Sequence, residues 1–207
     1  MDWLRPPWRG PPKEADAGPP EPEPPDLVER AAPGIAALFH GLKEDGSHAI
    51  LDLGAGGERS FRLYCRFARQ IRFAGLLRNP PRGKNLTAAL EALPPPPRGG
   101  YDVVLVWNLL DRLTPAEHST LIRRLARLTS PAARLYTVVN ISGENRIHPT
   151  HFSLLDLNRV SHRIDGPLVG ANQPLLPAAI ERLLFPFTVE HAFTLRNDLR
   201  EYVAVRG

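Results

Sequence analysis

One stretch of the sequence decides the fold, Ala49-Ile50-Leu51-Asp52-Leu53-Gly54-Ala55-Gly56-Gly57. Its first half is short, carries apolar residues on both faces and follows a turn, which is typical of a buried strand in a parallel sheet. The glycines that follow let the backbone turn sharply and approach a ligand closely. A helix after such a loop presents free N–H groups and the positive end of its dipole. Because open parallel sheets bind ligands at the carboxyl ends of their strands, the stretch predicts a ligand site at residues 54–57.

Outward from this stretch, the hydrophobic pattern predicts alternating helices and strands. A helix with Asp26 as its N-cap is expected to run through Leu27, Val28, Ala31, Ile35 and Leu38 and to break or kink at Pro33-Gly34. Thr114-Pro115-Ala116-Glu117 has the residue order of a capped helix start. The other expected elements are helices at 58–70, 86–93 and 176–184 and strands at 71–77, 101–107, 133–141, 187–195 and 202–205.

This order predicts an α/β fold in which helices cover both faces of a mostly parallel sheet. The last two strands are separated by too few residues for a parallel crossover, so they must form an antiparallel hairpin. Dinucleotide-dependent dehydrogenases do not usually end in this way.

The composition limits the possible domain organisation, cellular compartment and membrane association of the chain. The chain has 207 residues and 43% hydrophobic residues, which suits one globular domain with a tail. Nine of its 23 prolines fall in residues 1–25, which we interpret as a disordered tail that precedes a domain at 26–207. The single cysteine, Cys65, excludes an internal disulfide and favours the cytoplasm. No apolar run is long enough to cross a bilayer, and the N-terminus does not have a signal-peptide pattern, so we expect no membrane partner.

The closing strands and the glycine loop together resemble the class I S-adenosylmethionine-dependent methyltransferases. That family has a seven-stranded sheet whose last strand is antiparallel and inserted beside its neighbour, and its first loop typically reads acidic-x-Gly-x-Gly-x-Gly. The match here is Asp52-Leu53-Gly54-Ala55-Gly56-Gly57-Glu58. The resemblance covers roughly residues 35–207, and the stretch from Phe187 to Tyr202 is similar to poorly characterised bacterial members.

The resemblance implies a Rossmann-like three-layer sandwich and S-adenosylmethionine as the cofactor. It also implies a methyl acceptor that the sequence does not identify. Residues expected to contact the cofactor follow the first, second and fourth strands, and they are Asp52, Gly54, Ala55, Gly56, Gly57, Asn79, Trp107 and Asn108. Trp107 has an alternative interpretation as a core residue, and Asn108 has one as a turn cap.

Three departures from the family pattern leave a second hypothesis open. Glu58 stands at the third glycine position, and the second strand ends in Leu76-Leu77-Arg78-Asn79, where the family usually places an acid that holds the ribose hydroxyls. The segment 79–100 is also too short for a full helix and the usual third strand. The chain is therefore either a methyltransferase or a methyltransferase-like binding or scaffold protein that has lost the cofactor.

Base chemistry and charge give the last two predictions. His148 and His151, in the segment after the fifth strand, are the residues with an unperturbed pKa suited to a general base, with exposed loop histidines as the alternative. No carboxylate or cysteine accompanies them, so a metal site has little support.

Residues 26–207 carry 23 basic and 17 acidic side chains, which suits phosphate-bearing partners such as nucleic acid. The arginine stripe along 58–70 is expected to be a solvated face.

Overall fold

The structure, a computed structural model, describes residues 27–77, 83–141, 151–163 and 175–207. The elements alternate along most of the chain as an α/β fold requires. The strands are β1 (Val28–Ala31), β2 (His48–Asp52), β3 (Ala68–Phe73), β4 (Tyr101–Trp107), β5 (Thr129–Asn140), β6 (His151–Leu154), β7 (Arg159–Arg163), β8 (Phe187–Thr194) and β9 (Leu199–Arg206). The helices are α1 (Pro33–Phe39), α2 (Glu58–Tyr64), α3 (Lys84–Glu91), α4 (Pro115–Leu128) and α5 (Pro177–Leu183).

The central sheet has six strands in the order β3-β2-β4-β5-β9-β8. The pairs β2–β3, β2–β4 and β4–β5 are parallel, whereas β9 runs antiparallel to both β5 and β8. The predicted α/β fold, with a mostly parallel sheet that ends in an antiparallel hairpin, is thus confirmed. No strand of the described residues pairs with the outer edge of β3, which agrees with the predicted shortness of the segment that follows it.

The order of the strands determines the layers. The step from β2 to β3 runs in the opposite direction along the sheet from the steps to β4, β5 and β8. Right-handed crossovers therefore place α2 on one face and α3, α4 and α5 on the other. Helix α1 packs beside β5, β8 and β9. The core between these layers consists of fully buried apolar side chains, with Trp107, Tyr64 and Tyr101 the largest.

A second sheet, which the sequence did not predict, has the antiparallel order β1-β7-β6. The predicted helix from Asp26 to Leu38 is wrong over residues 28–31, because Val28–Ala31 pair with Arg159–His162 of β7 and only Pro33–Phe39 are helical. Asp26 itself and the predicted tail 1–25 lie outside the described residues. Long-range pairing overrides the weak helical periodicity of this segment.

The boundaries around α2 and β3 also differ from the prediction. The helix predicted at 58–70 ends at Tyr64, and β3 begins at Ala68 rather than Ile71. Phe61 has 48% of its surface exposed, and Ser60, Leu63 and Tyr64 are the buried residues of α2. The other boundaries agree within a few residues, and α4 has the predicted capping box between Thr114 and Glu117. None of the helices in the described ranges is long and apolar enough to span a membrane.

Candidate functional site

The loop after β2 is organised by the carboxylate of Asp52. This side chain is 2% exposed and accepts hydrogen bonds from the Gly54 amide at 2.7 Å, the Tyr64 hydroxyl at 2.7 Å and the Trp107 indole N–H at 2.6 Å. Burial raises the pKa of Asp52, and the bonds from Trp107, Tyr64 and Gly54 act in the opposite direction. Asp52 therefore ties the loop to α2 and β4 from within the core.

The glycines of the loop divide into a buried part and an accessible part. A Cβ at Gly54 would lie 2.9 Å from Asp52 Oδ1 and 3.1 Å from Trp107 Nε1. Gly56 has a φ of +74°, and a Cβ there would lie 2.7 Å from the Phe73 ring. Ala55 is exposed and Gly56 and Gly57 are half-buried. Of the residues that the structure describes, an added Cβ at Gly57 would meet only Ser153 Oγ, at 3.8 Å, so these residues leave space in front of it.

Trp107, at the end of β4, has a backbone conformation that non-glycine residues rarely adopt. Its φ is +55°, and its carbonyl accepts a hydrogen bond from the Thr137 hydroxyl at 2.7 Å. The indole packs edge-on against Tyr136, and it stacks on Phe152 with centroids 4.7 Å apart and an angle of 10°. Trp107 is thus a core residue that also bonds to the acid of the loop, and its predicted contact with a cofactor stays a prediction. Asn108 follows it and is also buried, at 3% exposure.

The three-stranded sheet covers this end of the central sheet. Phe152 of β6 supplies the ring against Trp107, and the Leu154 amide donates to Ser60 Oγ at 2.9 Å. These contacts place β6 beside the start of α2 and above the glycine loop. Sequence reasoning missed Tyr64 and Phe152, since neither has a local motif that indicates its long-range partner.

The end of β3 offers no acid in the position expected for a ribose ligand. Leu76 and Leu77 are buried, and the Leu77 carbonyl accepts a hydrogen bond from Arg112 Nη1 at 2.7 Å. Asn79, the polar substitute suggested by the sequence, lies outside the described residues. Its proposed contact with a cofactor stays a prediction.

The carboxyl ends of β4 and β5 carry a second buried carboxyl group. Asp111 is 8% exposed, and its two carboxyl oxygens accept hydrogen bonds from the backbone N–H of Asn140 at 3.1 and 3.2 Å. Burial raises its pKa to about 8, while the Asn140 amide and the Arg112 charge act in the opposite direction. The neighbouring Arg112 is buried as well, at 4% exposure.

The two histidines are not brought together by the described residues. His148 lies outside them. His151 begins β6 beside Phe152, and the alternation of side chains along a strand places it on the opposite face from the ring that packs on Trp107. A general-base role for either residue stays a prediction.

Comparison with solved structures finds many similar chains, among them two with a TM-score of 0.51. One is an S-adenosylmethionine-dependent methyltransferase from Mesorhizobium loti, with 17% identity over 84% of this chain and 96% of that chain. The other is a 1,6-didemethyltoxoflavin-N1-methyltransferase from Burkholderia thailandensis that binds its substrate and S-adenosylhomocysteine, with 15% identity over 84% of this chain and 76% of that one.

The chain also covers 54% of the pyocyanin biosynthetic protein PhzM, at a TM-score of 0.47. No family model and no curated protein matches the sequence. Identities this low establish the architecture alone. In architecture, the chain has the Rossmann-like fold of the class I S-adenosylmethionine-dependent methyltransferases.

Proposed function

We propose that the chain binds S-adenosylmethionine at the carboxyl ends of β2 and β4 and transfers its methyl group to an acceptor that is not identified. The observation that carries this proposal is the loop between β2 and α2. It combines an internally bonded acid, Asp52, with an accessible backbone at Ala55, Gly56 and Gly57. The names of the similar solved structures support the same cofactor.

The residues present fit one end of this cofactor. At the methionine end, the space in front of Gly57 leaves the backbone open to a polar group. Trp107 and Asn108, next to each other at the end of β4, are only 1% and 3% exposed, so a contact with the cofactor stays a prediction for both residues. At the ribose end, buried Leu77 stands where a carboxylate is usual. Another residue must therefore form hydrogen bonds with the ribose hydroxyls, and Asn79 is our candidate.

The chemistry that the bound cofactor supplies is an activated methyl group on a sulfonium centre. The chain's own contribution is to bind, to orient and to exclude water. The Asp52 hydrogen bonds tie the loop to α2 and β4, and β6 of the three-stranded sheet packs beside it. If the acceptor must lose a proton, His148 and His151 are the candidates that the sequence provides.

Gly57→Val is the sharpest test of the proposed pocket. Gly57 has an extended backbone, with φ −171° and ψ 156°, that valine adopts without strain, so the fold should survive. The valine side chain would fill the space that the cofactor needs. In calorimetric titration, we expect the wild-type protein to bind S-adenosylmethionine and S-adenosylhomocysteine and the variant to bind neither. Thr188→Val, an exposed position on β8, serves as the control and should bind as the wild type does. Binding by Gly57→Val would show that the pocket is placed wrongly.

A methyltransferase-like protein without a cofactor is the second candidate, and two observations favour it. Leu77 stands buried where an acid is usual, and Phe152 covers the face of Trp107 that would be available to a ring. The same titration separates the two functions. If millimolar S-adenosylmethionine or S-adenosylhomocysteine gave neither heat of binding nor a shift in melting temperature, the result would contradict the methyltransferase function and support this alternative.

A further inference from the structure

We propose that the groove between α2 and the edge strand β3 binds single-stranded nucleic acid, with a base on Phe61 and phosphates on Arg69 and Arg72. The groove has a volume of about 490 Å³. The pocket proposed for S-adenosylmethionine is formed by other residues, and the inference does not depend on it.

The groove has an apolar floor and a cationic rim. Ala68 and Ile71 line it from β3, and Phe61 lines it from α2 with 48% of its surface exposed. Arg69 and Arg72 are exposed and also line it. An exposed aromatic ring beside arginines is the combination on which single-stranded nucleic acids stack their bases and place their phosphates. Because every base has a flat face that can stack on an aromatic ring, we expect such a groove to bind nucleic acids of different sequence.

The two arginines are available for an anion. Among the described residues, neither Arg69 nor Arg72 forms an ion pair, whereas Arg62 pairs with Glu58 and Arg66 pairs with Glu44. Side chains alternate along a strand, so residues 69 and 72 project from opposite faces of β3. They therefore flank the edge of the sheet, and a chain that runs across this edge can place one phosphate at each. The guanidinium group binds a phosphate through two parallel hydrogen bonds.

The open edge of β3 gives the nucleic acid room to lie. No described strand pairs with the outer side of β3. Arg59, Arg62 and Arg66 line a separate groove and are not part of the proposed one. Residues 26–207 also carry a net positive charge, which attracts a polyanion before contact.

The test is fluorescence anisotropy of a labelled oligothymidylate of about 12 nucleotides, with the full chain and no S-adenosylmethionine. At about 50 mM salt we expect a Kd on the order of 10⁻⁶ to 10⁻⁴ M, which weakens as salt increases. Arg69→Gln/Arg72→Gln should weaken binding about tenfold or more and reduce the salt slope by about 1.4, the value for two phosphate contacts on a single strand. Phe61→Ala should weaken binding at least about fivefold without changing the slope.

The matched control is Arg123→Gln/Arg127→Gln, which removes the same charge from the exposed side of α4 on the opposite face of the sheet. This control should retain wild-type affinity apart from a small general charge effect. Equal losses in the two double variants would overturn the proposal, because binding would then follow net charge alone. Absence of any anisotropy change would overturn it too. Polyglutamate that binds as tightly as the oligonucleotide, with no effect of Phe61→Ala, would assign the groove to acidic peptides instead.

Discussion

The Asp52 carboxylate and the Trp107 backbone fix the shape of the candidate site. A left-handed conformation at a non-glycine residue costs about 1–3 kcal/mol and persists where surrounding contacts determine it. At Trp107 these contacts are the indole bond to Asp52, the stack on Phe152 and the Thr137 hydroxyl on the carbonyl. The acid of the glycine motif thus forms its hydrogen bonds within the protein, while the backbone at residues 55–57 stays accessible.

Asp52→Asn should destabilise the fold by about 1–3 kcal/mol. A carboxylate accepts from all three of its donors, whereas an asparagine must turn its NH₂ group towards one of them. Urea denaturation gives the free energy of unfolding. Asp45→Asn, at an exposed turn, is the control and should leave it unchanged. If Asp52→Asn had the same free energy of unfolding as the wild type, the result would contradict the role assigned to this carboxylate.

Asp111 should give the stability a pH dependence that an asparagine removes. The unfolded chain releases the Asp111 proton near pH 4, and the folded chain releases it at about pH 8. Between these values the folded state holds the extra proton, so this group's contribution to the free energy of unfolding falls as pH rises. We therefore expect Asp111→Asn to lose less stability than the wild type between about pH 5 and 8 in urea denaturation. If the free energies of unfolding of the two proteins changed equally with pH, the result would contradict the raised pKa of Asp111.

At the scale of elements, a buried ion pair joins the three-stranded sheet to the central sheet. Glu201 of β9 is fully buried and accepts from Arg30 of β1 at 2.6 Å, from the Tyr136 hydroxyl at 2.7 Å and from the Gly34 amide at 2.7 Å. Three segments that are distant in sequence, residues 30–34, β5 and β9, meet at this carboxylate. It therefore sets the position of the sheet that covers the glycine loop.

Glu201→Gln should cost about 3–5 kcal/mol, because it leaves the Arg30 charge buried without a counter-charge. In a double-mutant cycle, Arg30→Met/Glu201→Gln should be more stable than the sum of the two single losses implies. The free energies come from chemical denaturation. Asp156→Asn, which removes the exposed pair with Arg159, is the comparison and should have little effect. Additive losses at Arg30 and Glu201 would mean that the pair does not couple the sheets.

The elements that the sequence predicted well have strong local signals. β4 contains the continuous apolar run 103–107, α4 begins with a capping box, and the short link between β8 and β9 permits only a hairpin. The sheet β1-β7-β6 has no such signal, because its strands are short and its stability comes from pairing and from the Arg30–Glu201 contact. In the site, the motif identified Asp52 and the glycines. Tyr64 and Phe152 depend on contacts between distant segments, which one sequence does not reveal.

At the scale of the whole molecule, the central sheet has an uncovered edge at β3 among the described residues. Exposed edges invite pairing with other chains, and charged side chains are a common protection. Arg69 and Arg72 stand on this strand and are exposed. The same arginines that we propose for phosphate binding therefore also keep the edge from pairing.

Arg69→Val/Arg72→Val should promote self-association of the protein. The substitution converts β3 into a strand of high β-propensity with an open backbone edge. Sedimentation velocity at increasing concentration should show larger species than the wild type forms. The control Arg123→Val/Arg127→Val places the same apolar surface on helix α4, and it should associate less. Equal association of the two variants would attribute the effect to hydrophobic surface alone.

The placement of Trp107 makes the candidate site observable by spectroscopy. The chain has three tryptophans, and the other two are Trp3 and Trp8, in the segment before residue 27. Replacing Trp3 and Trp8 by phenylalanine leaves one indole, whose N–H bonds to the acid of the glycine loop and whose ring stacks on Phe152. Its emission and its indole proton resonance then report the loop, the covering sheet and any ligand between them from a single intrinsic probe.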